Sequence, residues 1–162
     1  MTDFAKLLRV LHDGRVECIV IGGLAATIHG SARLTQDVDV CYARSLDNLE
    51  RLVRALKPLR PYPRGAPAGL PFEWSVATLK AGLNFTLSTS AGSLDLLGEV
   101  SGGGDHAALL PHTVVAKLFG NDIKCLDLDW LIRTKRAAGR PRDLEAIAEL
   151  EALREERDLS GE

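Results

Sequence analysis

Two carboxylates one residue apart on a β-branched run, Asp37-Val38-Asp39-Val40, follow Ile21-Gly22-Gly23 after an interval of thirteen residues, 24 to 36. On an extended strand, side chains alternate between faces. Asp37 and Asp39 therefore share one face and Val38 and Val40 the other. Acids at i and i+2 stand about 6.6 Å apart along a strand, a span that a shared divalent cation or an ion pair can bridge. Left without a cation, they would repel each other and one would tend to keep its proton. Mg²⁺ removes that conflict and usually takes one or two carboxylates together with substrate phosphates. The glycine pair supplies the complementary feature, because a backbone without Cβ lets N–H groups come close to a phosphate. Coupled in one short segment, the two halves point to metal-dependent chemistry on a nucleotide.

Particular elements must hold these groups in place. Val16-Glu17-Cys18-Ile19-Val20-Ile21 reads as a buried strand running into the glycine turn, and Leu24-Ala25-Ala26-Thr27-Ile28-His29 as a short helix starting from that turn. Helix N-termini attract anions. A third acid, Asp95 in Ser93-Leu94-Asp95-Leu96-Leu97, follows an alternating run, Leu83 to Ser88, across a turn at Thr89 to Gly92. Flanked by leucines, Asp95 needs a partner, a metal or water. It ranks above Glu73, Glu99 and Asp105, although Glu99 shares its parity if the strand runs on through Gly98.

The stretch from Ile21-Gly22-Gly23 to Asp37-Val38-Asp39-Val40 resembles the signature of the DNA polymerase β-like nucleotidyltransferase superfamily: a hydrophobic residue, a glycine pair, a spacer, then acid, hydrophobic residue, acid. The spacer lies at the long edge of the range for that signature. The resemblance implies that Asp37 and Asp39 hold catalytic Mg²⁺ or Mn²⁺ and that Gly22 and Gly23 contact the phosphates of an NTP donor. Asp95 would complete one coordination sphere and could accept the nucleophile's proton. A second segment, Lys135-Arg136-Ala137-Ala138-Gly139-Arg140-Pro141-Arg142-Asp143-Leu144, resembles bacterial minimal nucleotidyltransferases, which include toxins of type IV toxin-antitoxin systems. By that likeness Lys135 and Asp143 help to complete the nucleotide site, with Lys135 neutralising developing phosphate charge. A lysine in a last helical turn and an aspartate in a first turn also simply complement helix dipoles. Ser31-Ala32-Arg33-Leu34-Thr35 resembles the family's stretch ahead of the acids and makes Arg33 a candidate triphosphate contact.

The implied fold is α/β (α+β): a nucleotidyltransferase-type mixed β-sheet with helices mainly on one side, in a single domain spanning 1–162. Its core would cover about 16–127 and its C-terminal helices about 128–156. The implied reaction moves an NMP from an NTP to a hydroxyl or phosphate of an RNA such as tRNA, a protein or a small molecule. The alternative is a non-catalytic nucleotide- or partner-binding module, one half of a toxin-antitoxin type pair. A metal-free phosphate-binding domain is a further rival, but it leaves the paired aspartates unexplained.

With 162 residues, 46% of them hydrophobic, the chain suits one compact α/β domain and has no room for a second large one. A formal charge of −2 gives no bulk attraction to nucleic acid. Cys18, Cys41 and Cys125 are widely spaced within apolar runs and read as reduced core residues rather than a disulfide or zinc set. That favours the cytoplasm, as does the lack of a signal-like start or of an apolar run near membrane-spanning length. The small size leaves acceptor recognition to a loop, a homo-oligomer or a cognate partner protein.

Helical spacing predicts a first helix over about Asp3 to His12 and another from the cap Ser45 to Leu56. Residues 58–71 hold five of the seven prolines and read as an extended surface loop, in which Arg60 and Arg64 beside Tyr62 are explained by position alone. A hairpin is expected around Gly120-Asn121-Asp122. After it come a helix from about Leu128, with Trp130, Leu131 and Ile132 inward, closed by Gly139, and a last helix opened by Pro141. That helix should bury Leu144, Ile147, Leu150 and Leu153, with a frayed polar end from Arg154.

Overall fold

The alternating and β-branched runs of the sequence assemble into one seven-stranded mixed sheet in the computed structural model, which describes residues 1–161. Its strands are β1 (Cys18–Ile21), β2 (Asp37–Tyr42), β3 (Tyr62–Pro63), β4 (Asn84–Thr89), β5 (Gly92–Leu97), β6 (Thr113–Leu118) and β7 (Asn121–Leu126), in the order β3-β4-β5-β2-β1-β7-β6. β2, the strand with the paired acids, is central: it runs antiparallel to β1 and parallel to β5. Around the sheet stand α1 (Phe4–Asp13), α2 (Gly22–Ile28), α3 (Leu46–Leu56), α4 (Val76–Ala81), α5 (His106–Leu109), α6 (Leu128–Ala138) and α7 (Pro141–Ser160).

Register divides the two faces of the sheet. Val20 lies opposite Val40, and Val40 opposite Leu96, so these side chains share a face, and each is fully buried or nearly so. α1 lies on that side, where Leu8 and Leu11 line a groove together with Cys18 and Val20, and α3 packs on α1 through the same apolar layer. Burying a leucine is worth about 2 kcal/mol, so Leu49, Leu52 and Leu56 of α3 anchor this layer strongly. The other face carries Ile21 opposite Asp39 and Asp39 opposite Asp95.

Local chemistry sets the ends of the helices. Asp3 accepts the Lys6 N–H at 3.0 Å, Ser45 the Asn48 N–H at 3.3 Å and Asp127 the Trp130 N–H at 2.8 Å, each satisfying a donor that the first helical turn leaves free. Gly139 closes α6 in the left-handed conformation at φ 67°, as its position predicts. The β6–β7 hairpin turns through Phe119 and Gly120, both at positive φ, which suits the twist of the flanking strands. Asn48, wholly buried, exchanges hydrogen bonds with the Glu17 backbone and donates to Ala43 O, fixing α3 to the ends of β1 and β2.

The structure departs from the sequence expectations at several points, including two short helices, α4 and α5, that no spacing announced. Within the proline-rich segment, Tyr62–Pro63 pairs with β4 as an edge strand, the position a sheet tolerates for proline. α7 runs to Ser160, so the polar stretch after Arg154 is helix rather than a frayed end. Along α7 the buried side is Asp143, Ala146, Ile147 and Leu150, while Leu144 faces out at 56% exposure and Trp130 of α6 is only half-buried. β5 ends at Leu97, which takes Glu99 off the strand parity of Asp95.

Candidate active site

Asp37, Asp39 and Asp95 converge because β2 and β5 run parallel with Asp39 directly beside Asp95. One carboxylate oxygen from each of the three lies within 4.8 Å of the others, and no other such cluster of His, Cys, Asp or Glu occurs among the described residues. The starts of the two strands are tied together by Thr2, whose hydroxyl donates to Gln36 O and accepts the Ser93 N–H. Burial first, and then the charge of Asp95, push the Asp39 carboxyl up to about 7. Asp39 Oδ1 is buried without a hydrogen-bond partner among the described residues. An acceptor left in that state is costly unless something else satisfies it. Three acids this close, one with an orphaned oxygen, form an all-oxygen donor set that suits Mg²⁺ or Mn²⁺.

The glycine pair begins α2 directly beneath this cluster. Gly22 has φ +65°, and a Cβ there would stand 2.2 Å from Asp39 Oδ2, so only glycine fits both the backbone and the space. A Cβ on Gly23 would meet the Thr35 hydroxyl at 2.7 Å. No side chain caps α2, which leaves its first N–H groups open beside the acids.

A cleft of about 600 Å³ takes in all eight residues singled out from the sequence: Gly22, Gly23, Arg33, Asp37, Asp39, Asp95, Lys135 and Asp143. Arg140 and Arg142 line it as well. It is thus lined by the acids of β2 and β5 and by basic residues from α6, α7 and the loop before β2. Lys135, on the last turn of α6, is half-buried; burial lowers its ammonium pKa, against the opposing pull of Asp143 and Asp39. Asp143 is 3% exposed and is held by Arg140, whose Nε donates to Oδ2 at 2.7 Å and whose Nη2 donates to Oδ1 at 3.3 Å. Burial alone would raise the Asp143 pKa, yet the Arg140 contacts hold it below the ordinary carboxylate value. Its Oδ2 also accepts the Arg140 N–H at 3.3 Å, so Asp143 closes the start of α7 in addition to facing the cleft.

Arg33 sits on the loop between α2 and β2, and α7 clamps that loop. Glu149 accepts the Ser31 hydroxyl and, at 3.1 Å, the Ala32 N–H, while Arg33 pairs with Glu145 at 3.3 Å. Arg157 donates to His29 O at 3.0 Å, and His29 Nε2 in turn donates to Leu126 O at 2.8 Å. These contacts span about a hundred residues or more of sequence, and no local spacing announces them.

Arg64 is the site residue that sequence reasoning passed over. Its backbone N–H bonds Thr86 O at 2.9 Å just after β3, and from there the guanidinium reaches back over Thr86 to the acids. Nη2 donates to Asp95 Oδ1 at 2.7 Å and to Leu87 O at 2.8 Å, and Nη1 lies 3.9 Å from Asp37 Oδ1. The only sequence signal was an arginine beside an aromatic in a proline-rich stretch, and no periodicity marked that stretch as a strand. The three cysteines are free, and burial pushes each thiol up to about 12, which leaves no reactive thiolate.

No protein-family model and no curated protein matches the chain. Among solved structures it is similar to the lincosamide antibiotic adenylyltransferase LnuA bound to lincomycin, with TM-score 0.61 and 12% identity over 94% of this chain and 98% of that one. It is also similar to ANT(2″)-Ia in complex with adenylyl-2″-tobramycin, with TM-score 0.56 and 13% identity over 97% of this chain and 95% of that one. At such identities the likeness is one of fold: the chain has a nucleotidyltransferase-type fold, matched along nearly the whole length of both proteins.

Proposed function

We propose that this chain is a metal-dependent nucleotidyltransferase that moves an NMP from an NTP to an acceptor hydroxyl or phosphate, releasing pyrophosphate. The observation that carries this reading is the trio Asp37, Asp39 and Asp95, drawn within 4.8 Å beside a glycine turn that a Cβ would block. Asp37, Asp39 and Asp95 would hold Mg²⁺ or Mn²⁺, which when bound neutralises triphosphate charge and aligns the attacking and leaving oxygens. The backbone at Gly22 and Gly23 leaves room for phosphate oxygens at the start of α2. Arg33 and Arg142, which line the cleft, offer bidentate donors to the same anion. Lys135, half-buried and within the field of Asp39 and Asp143, would supply positive charge to the departing pyrophosphate. Asp95, directly beside Asp39 across β2 and β5, would accept the proton of the incoming hydroxyl.

The similar structures carry lincomycin and adenylyl-2″-tobramycin. They support an acceptor hydroxyl on a small molecule as the first class to test here, with an RNA end or a protein side chain next. Calorimetric titration with a non-hydrolysable NTP in Mg²⁺ is expected to show saturable binding, weakened at least tenfold in Asp37→Asn/Asp39→Asn. Equal affinity in the two proteins would show that the acids do not recruit a cation for nucleotide.

A further inference from the structure

A cation of the chain itself already lies against two of the three acids, Asp95 and Asp37. Arg64 has 28% of its side chain exposed, donates at 2.7 Å to Asp95 Oδ1 and stands 3.9 Å from Asp37 Oδ1, while its other bond, to Leu87 O, holds the guanidinium over the sheet. Its Nε is buried and unpartnered among the described residues, so the group is placed by the acids and by β4 rather than by a full set of donors and acceptors of its own. On the far side of the same row, Asp39 Oδ1 also lacks a partner. One guanidinium therefore serves two carboxylates, and the third stays unsatisfied.

We propose that Arg64 is the resident counter-cation of this trio, so that binding of a divalent cation is an exchange against Arg64 rather than an addition to an open site. This rests on the metal-holding role proposed above for the same acids. Linkage sets the sign. A divalent ion neutralises the carboxylates that attract Arg64 and repels its guanidinium, so the contacts that stabilise the metal-free protein are weakened in the metal-bound one. By reciprocity Arg64 weakens cation binding by the factor by which the cation weakens the Arg64 contacts. The site would then favour a dication arriving with an anionic ligand, whose charge offsets that of the arginine.

Mn²⁺ binding by calorimetry and thermal melting in EDTA, on wild type, Arg64→Ala and Arg64→Gln, tests the exchange without any turnover assay. Glutamine keeps an N–H donor for Asp95 and removes the charge, and it guards against a misfolded alanine variant. Both variants are expected to bind Mn²⁺ at least fivefold more tightly than wild type, to melt lower in EDTA, and to lose most of that deficit when saturated with Mn²⁺. Affinity unchanged or weakened in Arg64→Gln would overturn the proposal, the weakened case making Arg64 a support of the cation site. Absence of Mn²⁺ binding in wild type and variants alike would remove the metal reading itself, and the exchange with it.

Discussion

At the scale of single residues, Asp39 carries the sharpest expectation. Its carboxyl is pushed up to about 7 by burial and by Asp95, so the folded metal-free protein holds this proton more tightly than the unfolded chain does. The resulting contribution is fully present below about pH 4 and is lost as pH rises through about 7. Asp39→Asn cannot ionise and escapes that loss. In EDTA at pH 8 it should be more stable than wild type by on the order of 3 kcal/mol, with the gap closing towards pH 4. Denaturant melts at the two pH values check this, and a gap independent of pH would contradict the assignment. Mn²⁺ at pH 8 should reverse the order by stabilising only the wild type. Lys135 makes the complementary case: Lys135→Ala should lower turnover by a factor of about 10² or more, the size typical of a lost charge stabiliser, while shifting the melting temperature little. A melting loss with intact turnover would make it a structural lysine closing α6.

At the scale of elements, the glycine turn and α7 position what the residues do. Gly22→Ala should disrupt the site even if the fold survives, because the new Cβ meets Asp39 Oδ2 at 2.2 Å on a backbone at φ +65°. Loss of Mn²⁺ binding would be the readout, and unaltered binding would show that β2 can move aside. α7 holds the Arg33 loop through Glu145 and Glu149. The Glu149 carboxyl is held below its ordinary pKa, first by the Ser31 hydroxyl and then by the Ala32 N–H. Its contribution is therefore present above the unfolded value and is lost as pH falls through the folded one. Glu149→Gln should lower the melting temperature at pH 7, and the difference should shrink in acid; a constant difference would exclude the carboxylate as its source. These elements also show what could be read from sequence. The strand face of Asp37 and Asp39, the cap Ser45 and the closing Gly139 all follow from local spacing and appear where expected. Arg64 and Glu149 were illegible because their partners lie 31 and 118 residues away, and β3 is only two residues long, too short to leave a periodic trace.

At the scale of the whole molecule, the fold brings opposite charges into one cleft, acids from the sheet and basic residues from α6, α7 and the loop before β2. A net charge of −2 conceals this division, which is why composition alone said little about partners. Among the described residues no helix is long and apolar enough to cross a membrane. The mixed sheet with Asp37 and Asp39 at its centre agrees with the fold implied by the sequence resemblance, and the likeness to LnuA and ANT(2″)-Ia runs nearly end to end. All eight sequence-derived residues border the same cleft, although they come from four separate parts of the chain. The activity proposed for that cleft is nucleotidyl transfer. Its most direct test is incubation of the purified protein with each NTP radiolabelled at the α-phosphate, with Mg²⁺ or Mn²⁺, against a host lysate and panels of lincosamides, aminoglycosides and RNA. A labelled acceptor should form with wild type and be lost with Asp37→Asn/Asp39→Asn. Transfer that persists in the double variant, or no labelled acceptor with any NTP under either metal, would contradict it.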